Sequence, residues 1–294
     1  MSRDPRSPST YPGSTQNDWT IRPASPADRR LVTALLAGAA WKHQHLDWFS
    51  AIELLGSAPY YLALQGGRSV GCLACPPDVG EIHWLRLFVV GAGHPVEKMW
   101  DRLWAEAEKS ARASRGATAA ALPTMDWMPA LLERAGFRKT NEVLFLEWEG
   151  APPERRPSET SIRPLHRRDI TRVAEIDQRA FDPLWQLSST ALKAALSQAS
   201  VATVAEVEGK TVGYQITTTL GLGAHLARLA VDPPLQRRGI GALLVSDALR
   251  TLFRHGIRRV SVNTQADNRP SLRLYDHLGF VPIEHGYPVY TLQL

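Results

Sequence analysis

The spacing of apolar residues switches repeatedly between a period of two and a period of 3.6, which marks strands and helices in alternation. The order is clearest from Ser161 onward. Ser161–Pro164 predicts a short strand, and Asp169–Phe181 and Ser189–Gln198 predict helices. Val201–Glu206 and Thr211–Thr219 predict two strands joined by a turn at Glu208-Gly209-Lys210. A strand over His225–Val231 comes next, then an amphipathic helix over Ala242–His255 that Gly256 ends as its C′ residue. Arg259–Asn263 predicts a strand, Pro270–Leu278 a helix with proline at its start, and Phe280–Leu294 two short strands. The unit is α/β (an α+β mixed sheet), antiparallel first and then extended by a strand–helix–strand crossover.

The chain carries this unit twice. Ile21-Arg22-Pro23 recurs as Ile162-Arg163-Pro164, and Val70-Gly71 as Val212-Gly213. The spacing that ends in Gly136-Phe137 recurs at Tyr275 to Phe280, with Leu132 in the place of Tyr275. These landmarks drift by one residue each around an offset of about 142 positions, as an internal repeat does. Residues 1–18, rich in Pro and Ser, predict a disordered tail. A first domain then covers 19–148, a linker of sequence EGAPPERRPSET covers 149–160, and a second domain covers 161–294.

A length of 294 residues suits two domains of about 150 residues each. Hydrophobic residues at 44% and charged residues at 21% exclude a disordered, collagenous or coiled-coil chain. The N-terminal stretch has no apolar core for a signal peptide, and no apolar run approaches the roughly 18 residues needed to span a bilayer. The expectation is a cytoplasmic protein without a membrane partner. The net charge of +5 is scattered, without a basic stripe interleaved with exposed aromatics, so no nucleic-acid partner is expected. Cys72 and Cys75, three apart on a strand, point to opposite faces. They read as small core residues rather than a disulfide or a shared metal site, and no metal is expected.

The chemistry concentrates in Leu229-Ala230-Val231-Asp232-Pro233-Pro234-Leu235-Gln236-Arg237-Arg238-Gly239-Ile240-Gly241-Ala242, which runs from a strand through a loop into a helix. Glycines there let backbone N–H groups converge on an anion at the helix N-terminus, and Arg237 and Arg238 add positive charge. A diphosphate is the natural guest. The Walker pattern fails for want of Gly-Lys-Ser/Thr, and the dinucleotide pattern fails at Leu244. Gln236-x-x-Gly239-x-Gly241 instead resembles the pyrophosphate loop of the GCN5-related N-acetyltransferases (GNAT), especially the branch with bacterial ribosomal-protein alanine N-acetyltransferases. Asn268 through Phe280, reading N-x6-Y-x3-GF, adds a second motif in the right order. The resemblance covers about 130 residues of the second half and the first half only as an echo.

The resemblance implies two tandem acyl-CoA N-acyltransferase domains, with acetyl-CoA as co-substrate and a primary amine as acceptor. It implies a bulged fourth strand whose backbone at Leu229, Ala230 and Val231 faces the pantetheine arm. It implies cofactor contacts at Gln236, Arg237, Arg238, Gly239, Ile240, Gly241 and Ala242, and at Asn268 and Ser271. Tyr275 would be the general acid that protonates the departing thiolate. The Glu expected five residues before Asn268 is Asn263 here, so the base must be sought elsewhere: His225, Glu284 and His285 are candidates, or a substrate amine that arrives neutral.

In the first half, the positions matching the loop are His94–Met99. Pro95 removes an N–H, Glu97 and Met99 replace the two glycines, and Met125 and Leu132 replace Asn268 and Tyr275. This half is expected to keep the fold without turnover. It holds eight of the nine tryptophans. Trp100 and Trp104 predict a core stripe, while Trp41 and Trp48 are open to three places: a substrate groove, an interface between halves, or the core, with the core the first expectation. His43 and His45 are expected on a helix, where they would not converge on a metal. A non-catalytic acyl-CoA-binding module is the alternative function, and monomer and homodimer both remain open.

Overall fold

Two arginine–aspartate pairs explain the Ile-Arg-Pro echo. Arg22, on β1 (Thr20–Pro23), reaches Asp28 with two hydrogen bonds of 2.8 and 2.6 Å, just before α1 (Arg29–Ala37). Arg163, on β9 (Ser161–Pro164), does the same to Asp169 at 2.7 and 2.9 Å, just before α4 (Ile170–Ala180). Each aspartate also accepts the backbone N–H three residues earlier, from Ser25 or His166. The motif thus locks strand, turn and helix start together, and it stabilises both carboxylates in charged form, lowering their pKa. Their contribution to stability is complete above the ordinary carboxylate pKa and fades as the pH falls below about 4. Asp169→Ala should cost about 1–2 kcal/mol, read as a lower midpoint of urea unfolding. An unchanged midpoint would show the clasp to be idle.

The computed structural model describes residues 19–113, 117–154 and 158–294, with the side chains of Leu220, Glu284 and His285 outside that description. The tail expected over 1–18 and part of the expected linker lie outside the described residues. The first half continues with β2 (Ala39–Gln44), β3 (Tyr60–Gln65), β4 (Arg68–Ala74), β5 (Ile82–Trp84) and β6 (Leu87–Gly91). It ends with α2 (Val96–Ala111), β7 (Thr118–Ala121), α3 (Met128–Arg134) and β8 (Arg138–Glu149). The second half has α5 (Ser189–Gln198), β10 (Val201–Val207), β11 (Lys210–Leu220), β12 (Gly223–Val231), α6 (Ile240–Arg254), β13 (Arg259–Gln265), α7 (Arg269–His277) and β14 (Val281–Gln293). Every element expected after Ser161 is present within a few residues, with one correction. The two short strands expected at the end form one strand, β14, whose register shifts between Pro282 and Gly286 and between Val289 and Tyr290. A bulged strand mimics two strands in the sequence because the extra residues break the alternation.

The halves are woven together. One sheet, in the order β1-β3-β4-β6-β2, belongs to the first half, and a nine-stranded sheet, β5-β7-β14-β8-β13-β12-β11-β10-β9, runs through both. In it, β8 of the first half lies between β13 and β14 of the second, and β14 lies between β7 and β8 of the first. Each half therefore receives from the other a strand beside its own parallel pair. Those parallel pairs, β5·β7 and β12·β13, occupy equivalent registers: Ile82 faces Thr118 as Ala224 faces Val260.

A second correction concerns His43 and His45. The segment from Ala39 is strand β2, not helix, pairing antiparallel with β6 from Ala39↔Gly91 to Gln44↔Leu87. The unsatisfied backbone edge of β6 overrides the local helical preference. His43, fully buried, bonds the Leu85 carbonyl at 3.1 Å through Nε2. The tryptophan stripe holds: Trp100 and Trp104 stack with ring planes 2° apart inside the core with Phe88 and Met99. Cys72 and Cys75 are free and buried in two different clusters on opposite sides of the sheet, and burial pushes both thiols up to about 12. Among the described residues no helix is long and apolar enough to cross a membrane, and no group of three or more His, Cys, Asp or Glu could hold a metal ion.

Candidate active site

The fourth strand of the second half opens the site. Strand β12 pairs with β11 along its length, but its parallel pairing with β13 ends at Leu226↔Val262. Opposite Ile216 and Thr217 the register jumps from Arg228 to Leu226, which makes Ala227 a bulge residue. From Ala227 to Val231 the backbone edge facing away from β11 therefore has no strand partner. A cavity of about 720 Å³ lies in this fork, lined by Leu226, Ala227, Arg228 and Leu229 together with Asn263, Thr264 and Gln265 of β13.

Helix α7 supplies the next wall. Asn268 is its N-cap, accepting the Ser271 N–H at 3.2 Å, and its amide nitrogen donates to Gln265 at 3.3 Å. Asn268, Ser271 and Tyr275 stand at i, i+3 and i+7, one face of the helix, and all three line the cavity. Tyr275 is 4% exposed and packs against Phe280 at 5.4 Å, and burial raises its hydroxyl pKa above the ordinary 10. The sequence motif thus becomes one polar stripe ending in a phenol.

Beyond the end of β12, the loop meets α6. Arg237 and Gly239 both have positive φ, 61° and 79°, a backbone conformation that lets successive N–H groups converge on an anion, and Gly239 is the helix N-cap with no side-chain cap. The first N–H groups of α6, at Ile240, Gly241 and Ala242, have no partner within the helix, and its first turn has no acid. Gln236 does not face this cradle: its amide donates to the Val231 carbonyl at 3.1 Å and folds the loop back on the strand. Arg237 and Arg238 are exposed beside it, and Ala230, Val231 and Ile240 are buried beneath. Gly241 has Leu274 at 3.3 Å from where a Cβ would stand.

The matching region of the first half is closed. Its equivalent strand, β6, has β4 on one side and β2 on the other, so no backbone edge is free. Helix α2 begins after Pro95 and carries Glu97 in its first turn. Met99, standing for Gly241, is fully buried, with Sδ 2.5 Å from where a Cβ on Gly71 would be.

His225 is the base candidate that the structure brings to the cavity. Its Nδ1 lies 2.9 Å from Ser261 Oγ, whose hydroxyl donates to the Ala224 carbonyl at 3.3 Å, so Nδ1 carries the proton in the neutral ring. Burial lowers its pKa below the ordinary 6.5 despite an opposing hydrogen bond with Asn263. At neutral pH the imidazole is neutral. The side chains of Glu284 and His285 lie outside the described residues, although their backbone is strand rather than hairpin loop.

Two arginine–aspartate pairs at the cavity escaped the sequence reading. His83-x-x-Arg86-Leu87 in the first half repeats His225-x-x-Arg228-Leu229, at the same 142-residue offset as Val-Gly, and that echo was the available signal. Both arginines line the one cavity, each paired with an aspartate of its own half. Arg228 makes hydrogen bonds of 2.7 and 2.8 Å to Asp177, which is fully buried and also accepts the Tyr214 hydroxyl, and its guanidinium lies 3.6 Å over the Phe181 ring. Arg86 pairs with Asp47, with side-chain exposures of 9% and 7%. Trp48 also lines the cavity, while Trp41 packs on the first half's core.

Comparison with known proteins gives the same frame. The acetyltransferase (GNAT) family model matches residues 170–280. The [ribosomal protein bS18]-alanine N-acetyltransferase of Escherichia coli strain K12 is 33% identical over 72 residues, which are 24% of this chain and 49% of that protein. Mycothiol acetyltransferase of Saccharomonospora viridis is 28% identical over 178 residues, covering 52% of this chain and 58% of its own. The chain thus spans about half the length of these curated relatives. A solved tandem GNAT protein from the clavulanic acid biosynthesis pathway superposes with a TM-score of 0.66 at 20% identity, covering 94% of this chain and 98% of that one, which establishes the tandem fold.

Proposed function

We propose that the second half, whose residues 170–280 match the GNAT acetyltransferase family model, transfers an acetyl group from acetyl-CoA to a primary amine and that the first half binds no acyl-CoA. The observation that carries this reading is the convergence of the free edge of β12, the Asn268–Ser271–Tyr275 face of α7 and His225 on one cavity, with β12 leading on to the uncapped start of α6. The relatives whose names identify alanine and mycothiol acetyltransferases support an amine acceptor.

Each part has its task. The α6 N-terminus with Arg237 and Arg238 holds the diphosphate. The unpaired β12 edge takes the pantetheine amides as an added strand would, and a backbone N–H there meets the negative charge that develops on the thioester oxygen. The acceptor nitrogen bonds to the acetyl carbon while the carbon–sulfur bond breaks. His225 takes the proton the amine must lose, Asn263 steadies the ring, and the Tyr275 hydroxyl protonates the leaving sulfur. Holding both reactants in one fork supplies the proximity term.

Calorimetric titration with acetyl-CoA tests this reading, and the expected result is one site per chain. Release of CoA in the presence of a panel of primary amines is the companion measurement. Absence of acetyl-CoA binding overturns the proposal, and binding without release under any amine leaves only a binding module.

A further inference from the structure

We infer that the acceptor is a small amine with a flat, apolar body and a hydrogen-bond-accepting oxygen, bound in a chamber whose acceptor side is built by the first half; this rests on the acetyltransfer reading above. The chamber is the part of the cavity lined by the first half and by the segment around Trp185. Its apolar wall is Trp84 and Trp185, with ring centroids 5.5 Å apart, continued by Leu122, just past the end of β7, and by Val143 of β8. His45 stacks on Trp84 at 4.9 Å, with the planes 24° apart. Trp84 in turn donates its ring N–H to the Leu184 carbonyl at 3.1 Å, which fixes the two halves against each other at this wall. A flat ring gains most from such a surface, because stacked and edge-on aromatic contacts add to the area buried.

The polar requirement comes from a donor left over. Arg86 gives one end of its guanidinium to Asp47, but its Nε–H is buried without a partner in a side chain that is 9% exposed. His45 Nδ1 is also buried and unpartnered, a donor or an acceptor according to the ring's tautomer, so the requirement rests on Arg86. Both residues line the chamber. A donor left unpaired in a buried site costs stability until something accepts its hydrogen bond, and an acceptor molecule with an oxygen beside its ring would do so. Strand β2 delivers this segment: it covers the β6 edge and then runs on through His45 and Asp47 into the chamber. The strand that closes the first half's own cleft thereby shapes the second half's substrate site. A cavity of about 720 Å³ that must also admit the acetyl end of the cofactor suits a small molecule.

The experiment is a turnover comparison on the full chain with phenethylamine, tyramine, phenylalanine, spermidine and a lysine-containing peptide. Acetyl-CoA binding is measured in parallel. The aromatic amines should have the highest kcat/KM, and those with an oxygen should exceed phenethylamine. Trp185→Ala should raise KM for all aromatic amines about tenfold. Arg86→Lys keeps the charge opposite Asp47 but removes the Nε donor, so it should raise KM about tenfold only for oxygen-bearing amines. In both variants acetyl-CoA affinity and kcat should stay near wild type. Preference for spermidine or peptide, equal effects of Arg86→Lys on all amines, or acetyl-CoA binding without turnover of any aromatic amine each overturns the inference. Loss of acetyl-CoA binding in the wild type would instead mark failure of the acetyltransfer reading itself.

Discussion

His225→Gln should lower kcat for amine acetylation by about 10²–10³-fold while leaving acetyl-CoA affinity unchanged. Glutamine can keep a hydrogen bond to Ser261 but cannot take a proton at neutral pH. The wild-type pH profile supplies the second readout. The base works only when neutral, so kcat/KM should fall as the pH drops through a pKa below the ordinary 6.5, the direction set by burial of the ring. In the variant that acidic limb should vanish. A variant with wild-type kcat and an intact limb would move the proton acceptor elsewhere. An activity loss accompanied by weaker acetyl-CoA binding would indicate collapse of the β12–β13 fork instead.

Gly239→Glu should abolish acetyl-CoA binding in calorimetry, a weakening of at least about 100-fold. Two effects add. The residue sits at φ 79°, a conformation that costs a non-glycine residue about 1 kcal/mol or more. The larger effect is a carboxylate placed at the unpaired N–H groups that would hold the diphosphate. Gly239→Ala separates them: no heavy atom lies within 4 Å of the added Cβ, so it carries only the backbone strain and should weaken binding far less. Glu97→Gly in the first half should create no second site, because β2 still covers the β6 edge and Met99 still fills the space beside Gly71. Two sites in the wild type, or one that survives Gly239→Glu, would refute the assignment to the second half.

Much of this architecture was legible in the sequence because its signals are local. Glycines at the start of α6, the Asn268-to-Tyr275 spacing and the Ile-Arg-Pro pairs each act within a few turns of chain. What escaped was long-range. Nothing in residues 138–149 says that this strand will lie between two strands made more than 100 residues later. His43 and His45 read as helical in the sequence, whereas pairing along the edge of β6 makes residues 39–44 a strand. The base position shows the same limit: Asn263 reads as a missing Glu, whereas the fold sets His225 beside it through the β12–β13 pairing of His225 with Ser261. The repeated His-x-x-Arg-Leu was local and legible, but its meaning required the two arginines to share one cavity.

The exchange of β8 and β14 also governs how such a chain must be assembled. Translation reaches β8 long before it makes β13 and β14, so β8 emerges with neither of its neighbours available. The first half likewise waits for β14 before β7 gains its second partner. Pairing across about 150 residues gives a high contact order, which slows folding and prolongs exposure of strand edges to other nascent chains. Once closed, the same weave removes the option of losing one half alone: fraying β14 strips a partner from β7 and from β8 together, so proofreading by local unfolding is confined to the outer strands β1, β2, β5 and β9.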